Sequence, residues 1–370
     1  MSTAVTPRMG RVLEQMEQKG IDIILLAPSS GFRYVMGQSP VADERLFVLA
    51  LAPGKEPFMV CNELYQIDAG QMFDGPAILW KDGEDPYPIL RRELEARHWP
   101  INGRIAVEQD TRARFLLPMM ATLPEATFCS ASPILDAMRV YKDEEERERM
   151  REACRRGDEG MKRAIQDGSA WVGKTEADFC ARISYEMTSL DLLDVGGGAC
   201  VGENAAAPHY TGRKGVIRRG SCLLVDYAGA YRNYYTDMTR TFWFGKPDPE
   251  FVKIHDIVRE ANAAARDAAV LGRELQEVDR AARRVITEAG YGKYFTHRTG
   301  HGIGINEHES PNAAEGETAI LKPGMAFSIE PGIYLPGRFG VRIEDLALMT
   351  ENGVEILHHY PRDFASCCYD

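Results

Sequence analysis

Several common signatures are missing from this 370-residue sequence. No apolar run approaches the roughly 20 residues that cross a bilayer, and Met1–Arg11 lacks the apolar stretch of a secretory signal. We therefore predict a cytoplasmic protein that does not enter a membrane. The eight cysteines include no Cys-x-x-Cys pair, which argues against a zinc knuckle or a dithiol redox motif and favours reduced structural thiols.

Positive charge is also scarce. The chain has 55 acidic and 44 basic residues, a formal net charge of -11. Long-range repulsion would oppose binding to nucleic acid or to an anionic membrane surface, so we expect neither partner. The glycine-rich stretch 196–202 lacks the Gly-Lys-Ser/Thr ending of a phosphate loop, and no Gly-x-Ser-x-Gly elbow offers a serine nucleophile.

The length fits two domains, and the pattern changes near Arg139. Before that point, short helix patterns alternate with apolar strand-like runs, which is typical of an α/β layer structure. After it comes a long charged helix, and then helices mixed with antiparallel strand patterns. We predict an α/β N-terminal domain over 1–138, a mixed sheet flanked by helices, and an α+β C-terminal domain over 139–370.

The same patterns predict individual elements. In the first domain they predict a helix ending at Gly20, helices at 88–97 and 114–123, and strands at 21–26, 46–51, 58–61, 77–80 and 105–107. In the second they predict helices at 143–166, 249–271 and 275–289, and one that begins at the Thr175–Asp178 capping pattern.

Two aspartates lie in strand-like segments, 223–226 and 235–244. A turn centred between positions 231 and 232 places Asp226 directly opposite Asp237 on one face, because cross-strand partners share a side. Opposed carboxylates in an apolar setting repel each other, and a cation between them removes that cost. The alternative is that one or both aspartates cap turns.

Two glutamates repeat this arrangement. Segments 327–330 and 341–348 predict a second hairpin closed by the ten residues between them, with Glu330 in one strand and Glu344 in the other. Alternation places Arg342 on the same face as Glu344, where it is available to a ligand or a substrate carboxylate. A surface salt bridge is the alternative for this arginine.

Histidines cluster between the two hairpins, three of the eight falling within twelve positions. Glycines on both sides of His301 let the backbone approach closely and leave the imidazole accessible. Alone, this histidine fits a structural role. Together with Asp226, Asp237, Glu330 and Glu344, it makes an oxygen-rich ligand set with one nitrogen.

Four carboxylates balance two divalent cations and leave a bridging hydroxide as nucleophile. Five ligands for two metals imply that some carboxylates bridge. Such a pair lowers the pKa of a shared water and polarises a scissile carbonyl, so the residues predict hydrolysis of a peptide or amide bond without a covalent intermediate.

Five motifs occur in a fixed order: Asp226 and, eleven residues on, Asp237 with Thr239-Arg240; Gly300-His301-Gly302; His308-Glu309; Ser328-Ile-Glu330-Pro-Gly-Ile-Tyr334; and Val341-Arg-Ile-Glu344-Asp345. In them the sequence resembles the pita-bread metallopeptidases, specifically the group of Xaa-Pro dipeptidase (prolidase) and aminopeptidase P. The resemblance covers the whole second domain and, more loosely, the first. It implies a creatinase-type N-terminal domain followed by a pita-bread catalytic domain.

The resemblance also implies roles for single residues. Asp226 would chelate one metal, His301 and Glu330 would bind the other, and Asp237 and Glu344 would bridge both. His209 would bind substrate and stabilise the tetrahedral intermediate, and His308 would hydrogen-bond the substrate carbonyl. His297 and Arg342 would line the substrate pocket.

By the same resemblance, we expect a homodimer with two divalent ions per subunit, manganese or cobalt, with zinc as the alternative. The expected reaction is hydrolysis of the Xaa-Pro bond in small peptides with proline second, releasing the residue ahead of proline. One departure is Asn312, where many prolidases carry an arginine that holds the carboxylate of a dipeptide. Two other readings stay open: a creatinase-like amidinohydrolase or other C–N hydrolase, and a non-catalytic binding protein on the same scaffold.

Overall fold

The computed structural model describes residues 5–41, 43–210 and 212–370, and the chain divides into two compact units, Met1–Arg139 and Val140–Asp370. The predicted division after residue 138 lies one residue from this boundary. Residues 1–4, which belong to the segment used to predict that no secretory signal is present, lie outside the described residues.

The first unit contains a six-stranded mixed sheet in the order β4-β3-β2-β1-β5-β6. Its strands are β1 (Ile23–Leu26), β2 (Val48–Leu51), β3 (Phe58–Asn62), β4 (Ala77–Trp80), β5 (Arg104–Val107) and β6 (Thr127–Ser130). Its helices are α1 (Pro7–Lys19), α2 (Ser30–Met36), α3 (Gln66–Met72), α4 (Pro86–Ala96), α5 (Ala113–Thr122) and α6 (Ser132–Val140). Strand β2 is antiparallel to β1 and β3, whereas β1 with β5, β3 with β4 and β5 with β6 are parallel.

Local signals explain the elements that the sequence predicts in this unit. Helix α1 begins after Thr6, whose hydroxyl accepts from the Met9 amide, and ends at Gly20 in the left-handed region. The buried strands β1, β2 and β3 lack alternation because side chains on both faces are buried. Four elements were not predicted: α2, α3, β6 and α6. The first two have only seven residues each, and β6 is a partly exposed edge strand.

The second unit combines long helices with three sheets. Its helices are α7 (Glu144–Ile165), α8 (Glu176–Ser189), α9 (Pro249–Ala268) and α10 (Gln276–Glu288). Its strands are β7 (Leu193–Val201), β8 (Ser221–Tyr231), β9 (Tyr234–Phe244), β10 (Gly300–Gly302), β11 (Glu309–Ala313), β12 (Ala326–Ile329), β13 (Gly332–Leu335), β14 (Phe339–Arg342), β15 (Asp345–Thr350), β16 (Gly353–Ile356) and β17 (Cys368–Tyr369). The sheets have the orders β17-β9-β8-β7, β11-β10-β12-β15-β16 and β13-β14.

Both helices that open this unit begin with a capping box. Asp143 accepts from the Glu146 amide while Glu146 accepts from the Asp143 amide, and Thr175 and Asp178 repeat the exchange at α8. Met150 and Met161, which lie about three helical turns apart on one face of α7, are buried in the structure. Each such side chain contributes about 1.5–3 kcal/mol when fully buried.

The second predicted hairpin needs correction. Strands β12 and β15 do pair antiparallel, with Ile329 opposite Asp345, but the segment between them is not a simple loop. It forms its own hairpin, β13 with β14, and the strand predicted over 341–348 is interrupted at Ile343 and Glu344. The interruption arises because the Glu344 amide donates to the Thr239 carbonyl of β9, at 3.1 Å, instead of to a partner in its own sheet.

Candidate metal centre

The hairpin of β8 and β9 carries two candidate ligands. Positions 232–233 form its turn, with positive φ values of 46° and 74°, as a two-residue type I′ turn requires. This turn pairs Asp226 with Thr239 and Asp237 with Ala228, so the prediction that the two aspartates stand directly opposite is wrong by two residues. Because the shift is even, both aspartates remain on one face as diagonal neighbours.

The two aspartates differ in environment. Asp237 is buried, and burial, followed by the charges of Glu344 and Asp226, raises its pKa well above the usual value. Asp226 is more open to solvent, and its Oδ2 accepts a hydrogen bond from Nη2 of Arg342 at 2.5 Å. The charge of Asp226 is thus balanced by a guanidinium, whereas no cation among the described residues balances that of Asp237.

The second sheet carries His301 and Glu330. A Cβ at Gly300 would lie 1.8 Å from the carbonyl oxygen of Ser328, so only glycine permits this approach of β10 to β12. The Ser328 hydroxyl accepts from the His301 amide at 3.0 Å and donates to Oε1 of Glu330 at 3.1 Å. A single serine therefore orients both candidate ligands.

The tautomer of His301 follows from its contacts. Nδ1 lies 3.0 Å from the Gly302 carbonyl oxygen, which can only accept, so Nδ1 carries the proton. Burial lowers the pKa of the ring to about 3, so it is neutral at pH 7. The unprotonated Nε2 then lies 3.4 Å from Oε1 of Glu330 and 3.7 Å from Oδ2 of Asp237. A neutral imidazole with this tautomer is ready to ligate a cation through Nε2.

Glu344 completes the set. Its Oε2 accepts from the Thr239 hydroxyl at 2.7 Å, while Oε1 is buried and has no hydrogen-bond partner among the described residues. Burial, followed by the charges of Glu330 and Asp226, raises the pKa of Glu344, and burial raises that of Glu330 to about 7. A buried carboxylate oxygen that has no donor and lies beside other acidic groups is suited to bind a cation.

These groups line one cleft of about 550 Å³, whose wall consists of Pro208, His209, Asp226, Asp237, His297, Arg298, His301, Glu307, His308, Glu330, Arg342 and Glu344. All nine residues singled out in the sequence belong to it. Within it, three sets have donor atoms within 4.8 Å of one another: Asp226, Asp237 and Glu344; His301, Glu330 and Glu344; Asp237, His301 and His308. Asp237, Glu344 and His301 each belong to two sets, and of these three only the two carboxyl groups have two oxygens with which to contact two ions.

His297 and Arg342 are joined through a tyrosine that the sequence analysis did not assign to the site. Nδ1 of His297 donates to the Arg298 carbonyl at 2.6 Å, so Nε2 accepts from the Tyr334 hydroxyl at 2.7 Å. Arg342 donates to that hydroxyl at 3.0 Å and to Thr239 at 3.0 Å. Arg342 is buried, which differs from the surface salt bridge considered as its alternative.

His209 and His308 are the exposed histidines of the cleft. The His308 ring lies over that of His301, with centroids 3.8 Å apart, and its Nδ1 is 3.4 Å from Nη2 of Arg298. Because a guanidinium can only donate, Nδ1 accepts and Nε2 carries the proton of the neutral ring. His209 also lines an adjoining pocket of about 270 Å³. Arg298 and Glu307 were missed in the sequence, where only their nearness to His297 and His308 marks them.

The chemistry of the donor set fits a pair of divalent cations. Four acidic groups and one neutral imidazole converge, one carboxylate oxygen is unpartnered, and two carboxyl groups are shared between sets. Oxygen donors with a single nitrogen suit manganese or cobalt ions better than ions that prefer thiolate ligands.

In the described part of the chain, no helix has the length and apolar character needed to cross a bilayer.

Comparisons with known proteins agree with this geometry. A family model described as metallopeptidase family M24 matches residues 148–351, and one described as creatinase/prolidase N-terminal domain matches residues 8–141. An Xaa-Pro dipeptidase of Lactobacillus delbrueckii subsp. lactis is 31% identical over 358 residues, covering 94% of this chain and 95% of that protein.

Two solved structures are similar over nearly the whole chain. A recombinant prolidase from Thermococcus sibiricus has a TM-score of 0.92 and 33% identity, covering 98% of this chain and 99% of that one. A dipeptidase from Pyrococcus horikoshii OT3 has a TM-score of 0.90 and 34% identity, covering 96% of this chain and 99% of that one.

Proposed function

The chain belongs to metallopeptidase family M24 and has the pita-bread fold with a creatinase-type N-terminal domain, and from this premise we propose that it hydrolyses the Xaa-Pro bond of small peptides. The observation that carries the proposal is the convergence of four acidic groups and a neutral histidine on one cleft, with Oε1 of Glu344 unpartnered. The similarity to an Xaa-Pro dipeptidase and to a prolidase supports the choice of substrate.

We assign the candidate ligands to two divalent ions. Asp226 would hold one ion, His301 and Glu330 would hold the other, and Asp237 and Glu344 would be shared, since each is a carboxyl group that belongs to two donor sets. When bound, the ions supply an acidified water as the nucleophile and polarise the scissile carbonyl. We propose manganese or cobalt as these ions, and a cytoplasmic homodimer as the working form.

The protein's own residues bind and orient the peptide. His308 presents a protonated Nε2 to the cleft, which donates to the substrate carbonyl as charge builds on that oxygen. His209 is exposed at the junction of the two cavities, where it binds the substrate. Tyr334 and Arg342 hold His297 and Asp226, so the wall beside the reacting bond is rigid.

The test measures metal content and hydrolysis together. Protein reconstituted with Mn²⁺ or Co²⁺ is expected to cleave Xaa-Pro dipeptides and to be inactive after chelation. Glu344→Gln should lose more than the roughly 10–100-fold in metal affinity that outer-shell substitutions cost. Glu288→Gln, an exposed glutamate of the same unit, should bind metal and hydrolyse as the wild type does.

Two other outcomes would replace the proposal. Cleavage of creatine without cleavage of any prolyl peptide would favour a creatinase-like amidinohydrolase. A protein that retains no metal and hydrolyses nothing after metal addition would instead be a binding protein on this scaffold.

A further inference from the structure

Arg298 is a cation of the cleft that has no carboxylate partner among the described residues. Two arginines line this cavity, and Arg342 is fully engaged with Asp226 and its neighbours. For the Arg298 side chain, the contact in the described part of the chain is the one to Nδ1 of His308, at 3.4 Å. The residue is partly buried and lines the cleft, so the N–H donors that do not contact His308 are available to a ligand or to water.

The charge of the cleft permits an anionic ligand at this end. Five acidic groups and two guanidiniums line the wall, and two divalent ions with one hydroxide would bring its net formal charge to zero, so the wall as a whole would not repel an anion. Asn312, by contrast, is neutral and does not belong to the cleft wall, although it lies in β11 only four residues after His308. Of the two arginines in the wall of this cleft, the one available to a substrate is therefore Arg298.

We propose that Arg298 binds a carboxylate of the peptide substrate and so determines specificity; this inference rests on the proposed function. A planar guanidinium recognises a carboxylate through two parallel hydrogen bonds, which a lysine cannot reproduce. The carboxylate belongs either to the C-terminus of a dipeptide or to an acidic residue ahead of proline. The first source makes the protein a dipeptidase, and the second gives it a preference for acidic N-terminal residues.

If Arg298 served only to orient His308, its substitution would change the kinetic constants differently. Loss of that contact would slow every substrate by the same factor, mainly in kcat. Loss of a carboxylate contact would act mainly on KM and only on substrates that carry the charge. The ratio of kcat/KM between a charged substrate and its neutral partner separates the two roles.

The experiment compares two substrate pairs on the metal-loaded full-length protein: Ala-Pro with Ala-Pro amide, and Glu-Pro amide with Gln-Pro amide. Wild type should prefer the charged member of one pair by about tenfold to a hundredfold. Arg298→Gln should abolish that ratio and Arg298→Lys should restore part of it. Arg284→Gln, an exposed arginine of α10 that lines neither cavity, is the matched control and should keep the ratio.

The pair that shows the ratio identifies the source of the carboxylate. The inference is overturned if Arg298→Gln lowers kcat/KM equally for all four substrates, if neither pair shows a ratio, or if Arg284→Gln removes it. Failure of the wild type to cleave any prolyl peptide would refute the proposed function instead. Calorimetry with the same four peptides then decides the role of Arg298. Tighter binding of a charged peptide than of its neutral partner, lost in Arg298→Gln, supports the role, and equal binding within both pairs rejects it.

Discussion

In protein without metal ions, ionisation of Glu330 should measurably lower the free energy of unfolding. Burial raises the pKa of this carboxyl from 4.5 to about 7 when no cation is bound. At pH 4.5 and below, the folded protein keeps the proton and this penalty is absent. As the pH rises through 7, the buried group must ionise against its surroundings, at a cost of about 3 kcal/mol. The apoprotein should therefore lose stability between pH 4.5 and 8.

Glu330→Gln isolates this effect, because the amide keeps the carbonyl oxygen that accepts from Ser328 but cannot ionise. In chelator-treated protein at pH 8, the substitution should raise the free energy of unfolding by up to about 3 kcal/mol. At pH 4.5 the two proteins should be nearly equal. Denaturant unfolding at both pH values, followed by fluorescence, measures the difference.

The metal-loaded proteins should show the opposite order. Wild type gains stability from ions that bind the folded state alone, whereas Glu330→Gln has lost a ligand and gains less. Glu288→Gln, at an exposed site, controls for the loss of one negative charge from the chain. If Glu330→Gln apoprotein is no more stable than wild type at pH 8, the carboxylate is not strained and the cleft does not require a cation.

Three further substitutions test the surroundings of the site. Asp345→Asn should lower the free energy of unfolding by about 3–5 kcal/mol in urea titrations, because it leaves the buried guanidinium of Arg240 and its neighbour Arg362 short of a counter-charge. Tyr334→Phe should cost about 1–3 kcal/mol in the same titrations and leave metal affinity, measured by calorimetry, unchanged, because the hydroxyl links two wall residues and no candidate ligand. Burial lowers the pKa of His255 to about 4, so as the pH falls from 6.5 to 4 the unfolded chain takes up the proton first and the wild type loses about 3 kcal/mol of its free energy of unfolding. His255→Leu should abolish this loss, which denaturant unfolding at pH 7 and pH 4 measures.

The parts of the fold that could be predicted are those that local sequence determines. Helix α7 was expected over 143–166 and occupies Glu144–Ile165, because its capping box and its apolar face lie within the helix itself. Gly20 likewise marks the end of α1 without reference to distant residues. The α/β and α+β assignments for the two domains are confirmed, since each follows from the order of such elements.

Register and supporting contacts were harder to predict because they depend on backbone conformation and on distant partners. The turn consists of positions 232–233, both with positive φ, and is not centred between 231 and 232 as predicted. The cross-strand partner of Asp226 is therefore Thr239 and not Asp237. No glycine marks this turn, so its position was misjudged. The roles of Thr239 and Tyr334 depend on contacts with Glu344 and His297, residues that lie far away in the sequence or in another strand.

The interruption at Glu344 shows why the site breaks local rules. An unbroken strand would place the Glu344 amide in the ladder of its own sheet, but it bonds across to the Thr239 carbonyl, and Nη1 of Arg240 donates to the Glu344 carbonyl oxygen at 2.6 Å. These two bonds tie the sheet of β12 and β15 to the hairpin of β8 and β9. The same residue thus joins the two ligand-bearing sheets and supplies a side chain shared by two donor sets. Regular strand pairing is interrupted at the residue that is positioned as a candidate metal ligand, as expected of a functional site.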